Sequence, residues 1–478
     1  MHRNGNNKLS DVTYKGLTAS NDISYSRYQI HCYMKRIFLL VASLCIAYFS
    51  FAQQGDKLDE LINAYAKLYK FNGSVLIAKN GTILLNKGYG FRNAADKVAN
   101  NEQTIFQLGS ITKQFTSAVI LKLQEEKKLS VSDKLSKYFP GYPKGDSITI
   151  EQLLTHTSGI YSYTNDPNFM ANEVTKPASR EMMMALFRDK PFDFSPGTSW
   201  NYSNSGYSLL GYIIEAVTKK PYEQAVRKYI FAPLGMTHSG FDFTHLKNKE
   251  KATGYFKLDD KEAVPAPIVD SSVSYSAGAI YSTTGDLYLW HNALQKNSIL
   301  SKAQQEKAYT PVKNKYGYGW GIDSIEGKRK VSHGGGIHGF TTNISRIPED
   351  DICIVLLSNA SDPTLGEITK SIFAILYGKE YKLPKERTAV KLPEEKLKEY
   401  EGEYEIKEDL HVIMSVKDGE LVAAPTGQRT DILYAEKEDF FFAKSADLQV
   451  EFTRNEKKEV DGFILHQNGA KIPCKKIK

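Results

Sequence analysis

Cysteine is nearly missing from this chain. Four occur in 478 residues: Cys32, Cys45, Cys353 and Cys474. Cys353 lies in an apolar, strand-like run and Cys474 at the C-terminal tip, so no disulfide framework is expected. No histidine or cysteine has metal-ligand spacing around it, and neither a metal nor another cofactor is expected. H-E-x-x-H and G-x-S-x-G are both absent, which argues against a zincin and an α/β-hydrolase. A strong excess of one charge is lacking too. Net charge is +7, and residues 1–52 carry six lysines or arginines against two aspartates. The remainder is close to balance and offers a nucleic-acid partner little support.

Long apolar runs are also scarce. One follows Met34-Lys35-Arg36, extends from Ile37 to Ala47, and ends before the small-x-small segment Ser50-Phe51-Ala52. A short basic start, an apolar run and such a site describe a cleaved leader over residues 34–52. The run is short for a full span and no charged stop follows at once, so no stable membrane span is expected after cleavage. The mature protein is expected to be exported, periplasmic or secreted. Residues 1–33 are polar and patternless, and read as a mis-assigned start or a disordered extension.

What is present is long enough for two or three domains. Leu58, Leu61, Ile62, Tyr65, Leu68 and Tyr69 recur at helical spacing. Ser74–Ala78 and Thr82–Leu85 flank Asn80-Gly81, a strong hairpin signal. A mostly helical region follows to about Leu300. Strand patterns return near Tyr316, at Lys330–His333, at Phe340–Ile347 and at Ile352–Leu357, before a closing helical run from Ile368 to Leu376. That order predicts an α+β domain over residues 53–380: an antiparallel sheet flanked by helices, plus a helical subdomain. Residues 381–396 are charged and proline-containing, a linker. Residues 397–478 have short β-rich runs split by Asp418-Gly419, Asp461-Gly462 and Asn468-Gly469, and read as a small all-β meander or barrel.

The chemistry centres on Phe106–Phe115. Ser110 and Lys113 stand three apart, and Phe115, Val119, Ile120 and Leu123 continue at helical spacing. Both should share one face of a first helical turn, where unpaired amides and the dipole favour negative charge. This suits a serine nucleophile beside an amine that accepts its proton. The plain alternative is an N-cap serine and a solvated lysine. Further along, Tyr202 and Asn204 stand two apart before a helical run, and His333-Gly334-Gly335-Gly336 ends an expected strand. Tyr202 as a half-buried core aromatic, Asn204 as a helix cap and His333 as a satisfied strand-end imidazole are the bland readings. Gly334–Gly339 also matches G-x-G-x-x-G. A dinucleotide site needs a helix after it, whereas Phe340–Ile344 is β-like, so that reading fails.

Taken together, Ser110-x-x-Lys113, Tyr202-x-Asn204 and His333-x-Gly335 resemble, in order, the three motifs of the penicillin-binding protein and class C β-lactamase family. Leu153–Gly159, Ser276-Ala277-Gly278 and Tyr316–Gly321 look like supporting signatures of the same family. The resemblance covers roughly residues 56–378 and implies the β-lactamase/transpeptidase fold and an acyl-serine mechanism. It makes Ser110 the nucleophile and Lys113 and Tyr202 its proton carriers, leaving open which of the two is the base. Asn204 would bond Lys113 and the substrate amide, and His333 would polarise Tyr202 or bind a substrate carboxylate. Gly335 and Gly336 would let a strand edge approach the substrate, with the amides of Ser110 and Gly336 forming an oxyanion hole. His156 and His338 match no motif position and are read as structural. Histidine where class C β-lactamases carry lysine argues for a peptidase or esterase over a true β-lactamase. The expected substrates are small molecules or peptides carrying an amide or ester: D-amino-acid peptides or amides, small esters and β-lactams, with cell-wall peptides among them. The competing expectation is a binding or scaffolding protein that keeps the fold without catalysis. The C-terminal β domain resembles an accessory domain found beside some D-aminopeptidase-like members.

Overall fold

Asn80 and Gly81 both adopt positive φ, 50° and 71°, and turn strand β1 (Gly73–Lys79) back on β2 (Thr82–Tyr89). This is the hairpin expected from the sequence. The computed structural model describes residues 53–361, 364–408, 410–427, 430–443, 448–467 and 470–478. The extension 1–33 and the leader 34–52 expected above lie outside the described residues. Residues 58–478 form one unit.

Four later strands join the hairpin: β3 (Gly321–Ile325), β4 (Lys328–Ile337), β5 (Phe340–Ile347) and β6 (Ile352–Ser358). The sheet is antiparallel with order β2-β1-β6-β5-β4-β3. Strand β6 is buried along its whole length, and its period of two divides its side chains between two cores. Ile352, Ile354 and Leu356 face the helical residues 58–67 and helix α5 (Leu365–Leu376). Cys353, Val355 and Leu357 face the other layer. That layer holds α1 (Thr112–Glu125), α2 (Asn204–Thr218), α3 (Ser271–Gly278) and α4 (Thr284–Gln295). Among the described residues, no helix is long and apolar enough to cross a membrane.

One expectation needs correction. Tyr316 is not in a strand. It sits in a tight loop with isolated bridges to Lys313 and Gly321, because Asn314 and Lys315 both take positive φ. The glycine triplet lies at the end of β4, as the sequence led one to expect. Pairing to β5 (His333 with Ile344, Gly335 with Thr342, Gly336 with Thr341) carries the strand through residues of poor β propensity.

After 379–393, which carry neither helix nor strand, comes a short helix, Glu394–Lys398. The chain then forms a closed eight-stranded barrel, from β7 (Gly402–Lys407) to β14 (Ala470–Lys476). Tyr400, Tyr404, Phe441, Phe452 and Phe463 fill its interior. Cys353 and Cys474 are both buried free thiols.

Arg346 on β5 is fully buried and ties the sheet to α4. Its Nε donates to His291 Nδ1 at 2.8 Å, and Nη1 donates to the Tyr309 hydroxyl at 2.6 Å. His291 Nε2 then faces Asp351 Oδ1 at 3.0 Å. Burial pulls the His291 imidazole down to about 4, with the Arg346 charge adding to the effect and Asp351 opposing it. An unfolded imidazole takes its proton near pH 6.5, and this one resists until about pH 4. Its contribution to stability is therefore complete above pH 6.5 and is lost as pH falls toward 4. Denaturant unfolding at pH 7 and pH 5 should show wild type losing about 1–2 kcal/mol more than His291→Gln over that interval. Equal losses in both proteins would overturn this account.

Candidate active site

Leu108 anchors the segment that carries Ser110. Its N–H donates to Ile280 O at 2.8 Å, and its carbonyl accepts the Thr342 hydroxyl at 2.7 Å. Gly109–Ile111 then form a 3-10 turn that runs directly into α1. Neither the turn nor α1 has a side-chain cap, so the Ser110 hydroxyl is not spent as an N-cap. Gly109 has φ 56°, and a Cβ there would stand 2.9 Å from Gly336 N. Only glycine allows the turn to approach strand β4 this closely.

The Lys113 side chain, on the first turn of α1, is completely buried. Its Nζ lies 3.1 Å from Ser110 Oγ, 2.8 Å from Asn204 Oδ1 and 2.8 Å from the Ala277 carbonyl. The rings of Tyr202 and Tyr207 flank it, with centroids 4.8 and 5.3 Å away. All five neighbours are neutral. Burial without a carboxylate drives the amine well below its usual range. A neutral amine has two hydrogens and one lone pair. The two carbonyl oxygens can only accept, so they take the hydrogens, and the lone pair is left for the Ser110 hydroxyl.

Each acceptor is held from behind. Ser203 caps α2 by accepting from Gly206 N, and Asn204 is the first helical residue. The Asn204 amide group donates to Thr164 Oγ1 at 3.0 Å and its backbone N–H to Ser162 Oγ at 3.0 Å. This fixes Oδ1 toward Lys113. Thr116 on α1 donates to Ser276 O at 2.7 Å, and Ile280 N donates to Thr112 Oγ1 at 3.1 Å. Those bonds bring Ala277 O over the amine. Tyr275, at φ 38° and ψ −133°, kinks α3 just before it.

Tyr202 is half-buried and its phenol is hydrogen-bonded to Ser110. Burial pushes the phenol well above its usual range, and the Ser110 bond acts the other way. His156 packs on Tyr202 with ring centroids 4.2 Å apart, and its Nδ1 accepts the Ser203 N–H at 3.1 Å. The residue read as structural therefore sets the loop that carries Tyr202.

His333 is placed differently from the roles considered above. Tyr316 donates its hydroxyl to Nε2 at 2.8 Å, and Nδ1 faces the Gly334 carbonyl. Both nitrogens are engaged, and the ring is 6.3 Å from that of Tyr202, centroid to centroid. Burial, helped by the charge Lys113 would carry, pulls the imidazole down to about 4. A neutral, fully bonded ring neither polarises Tyr202 directly nor presents a charge to a carboxylate.

A cavity of about 90 Å3 opens beside Ser110, Asn204 and Gly336. Sequence reasoning assigned no role to Ala277, Tyr316 or Thr164. Ala277 and Tyr316 lay in segments singled out as family signatures. Ala277 acts through its carbonyl, which every residue has, so residue type could not reveal it. His338, also read as structural, lines this cavity. Among the described residues, no group of three or more His, Cys, Asp or Glu is arranged to hold a metal ion.

The glycines of β4 are not equivalent. A Cβ at Gly335 would meet Leu108 O at 1.9 Å, whereas one at Gly336 meets nothing within 4 Å. Gly335→Ala should cost about 1–3 kcal/mol of stability, seen as a lower denaturation midpoint. Gly336→Ala should stay within about 0.5 kcal/mol. Matching midpoints for the two variants would contradict this packing.

The chain matches the family model described as Beta-lactamase over residues 58–377. A second model, a domain of unknown function called DUF3471, matches residues 386–475. A penicillin-binding protein of Bacillus subtilis (strain 168) is 30% identical over 440 residues, covering 86% of this chain and 96% of its own. Among solved structures, the octameric penicillin-binding protein homologue from Pyrococcus abyssi is 30% identical with a TM-score of 0.64, covering 88% of this chain and 99% of that one. A D-stereospecific amidohydrolase from Streptomyces is 26% identical with a TM-score of 0.58, covering 67% and 98%. With a hydroxyl, a buried amine and a phenol gathered on the matched fold, the chain belongs to the β-lactamase and penicillin-binding protein family of serine hydrolases, extended by a C-terminal β-barrel domain.

Proposed function

We propose that this protein is an exported hydrolase that cleaves amide or ester bonds through an acyl-Ser110 intermediate. The observation that carries the reading is the environment of Lys113 Nζ: two carbonyl acceptors at 2.8 Å and the Ser110 hydroxyl at 3.1 Å. In acylation the Ser110 hydroxyl gives its proton to the Lys113 lone pair as Oγ bonds to the substrate carbonyl carbon. The backbone amides of Ser110 and Gly336 receive the oxyanion. The bond to the leaving group then breaks, and Tyr202 supplies the proton that the leaving group needs, itself resupplied from Lys113. Water repeats the sequence on the acyl-enzyme and restores Ser110. Asn204 holds Lys113 and the substrate amide, and Gly335 sets the depth of the strand edge.

The amidohydrolase likeness supports amides built on D-amino acids as substrates, with cell-wall peptides and small esters as further candidates. The imidazole in place of a third-motif lysine supports peptidase or esterase work over strong β-lactamase activity.

Intact mass after incubation with a fluorophosphonate and with a fluorescent penicillin tests the reading. One adduct of either reagent, absent in Ser110→Ala, is expected. A folded protein that takes neither reagent and hydrolyses no D-amino-acid amide, nitrophenyl ester or cephalosporin would instead be a binding or scaffolding protein. Tyr202→Phe should lower kcat/KM by about 10²–10⁴-fold. Protonating Lys113 removes the lone pair, so kcat/KM should be full above its lowered pKa and fall as pH drops through it. An acid limb that persists unchanged in Lys113→Met, measured on whatever activity remains, would assign the titration to another group.

A further inference from the structure

The walls around Ser110 share one property. Met170, Val174, Val269, Val273 and Ile337 give the cavity beside Ser110 and Asn204 its apolar lining, and Thr164 and Ser274 also line it. Among the described residues that line it there is no Asp, Glu, Lys or Arg. Tyr163 donates its hydroxyl to Val273 O at 3.0 Å. His338 stands at the same wall, and burial lowers its affinity for a proton. Tyr202 meets the rings of His156, His333 and Tyr316. Both nitrogens of His333 are already bonded, to Tyr316 and Gly334. Gly334 has no hydroxyl to offer. Lys113 is the basic side chain at this place, and it sits behind Ser110 with its three positions filled.

A charged substrate group brought here would lose water and meet no counter-charge, which is costly in a confined cleft. An apolar group would gain by the same burial. We infer that this cavity selects acyl donors that place an apolar side chain and a blocked amine beside the scissile carbonyl. This rests on the serine hydrolase reading and narrows it. It sets aside a free ammonium group on the acyl half as a recognition element.

A matched acyl pair tests it on the full chain, in both hands of phenylalanine: N-acetyl-phenylalanine 4-nitrophenyl ester against phenylalanine 4-nitrophenyl ester. For the hand that is accepted, the neutral member should have the higher kcat/KM by more than about tenfold. Val174→Asp, which puts a carboxylate in the wall, should shift the acyl pair toward the free amine by a similar factor. Charged members turned over as well as neutral ones would overturn the inference while the serine hydrolase reading stands. Hydrolysis that survives Ser110→Ala would instead remove the reading itself.

Discussion

One buried amine sets the terms for the rest of this site. A lysine side chain removed from water, with no carboxylate to pair it, is stable only as the neutral base or at considerable cost. The fold supplies Lys113 with two acceptors that cannot donate, the Asn204 side-chain oxygen and the Ala277 carbonyl. Their positions come from different elements, α2 and α3, both bonded back to α1 or to the loop at Ser162 and Thr164. These contacts hold the amine beside Ser110.

The sheet contributes a second constraint, which is steric. Strand β4 can lie against the Ser110 turn because Gly109 and Gly335 have no side chain to hold the backbones apart. The Leu108 carbonyl is wedged between Thr342 and Gly335, so the turn, β4 and β5 are locked in one arrangement. Arg346, further along β5, fastens that sheet to α4 through His291 and Gln295. The polar groups buried in this layer are thus not scattered. They occur where helices must hold a fixed position against the strands that border the cleft.

The site is also notable for what its imidazoles do. His156 and His333 are both buried and both lose basicity, chiefly through burial, and the charge Lys113 would carry if protonated acts in the same direction. They act as neutral, shaped spacers around Tyr202 and Tyr316, so the surroundings of Ser110 remain free of fixed charge. The C-terminal barrel fills its interior with tyrosine and phenylalanine rings, which leaves its outer surface and rim as the places where it could act.

Much of this was written in local pattern. Helical spacing after Ser110, the Asn80-Gly81 turn, the alternating run of β6 and the short strands after residue 397 each depend on neighbours within a few residues, and periodicity reports such neighbours directly. The three motifs also named the hydroxyl, the amine, the phenol and the amide that meet at the cleft. The sequence could not tell that His333 is bonded on both sides, that His156 underlies Tyr202, or that the carbonyl of Ala277 completes the bonding of Lys113. These are contacts between segments tens to hundreds of residues apart, and a backbone carbonyl carries no residue-type signal. Only the folded chain, which brings α1, α2, α3 and β4 to one point and excludes water there, decides the protonation state on which the chemistry rests.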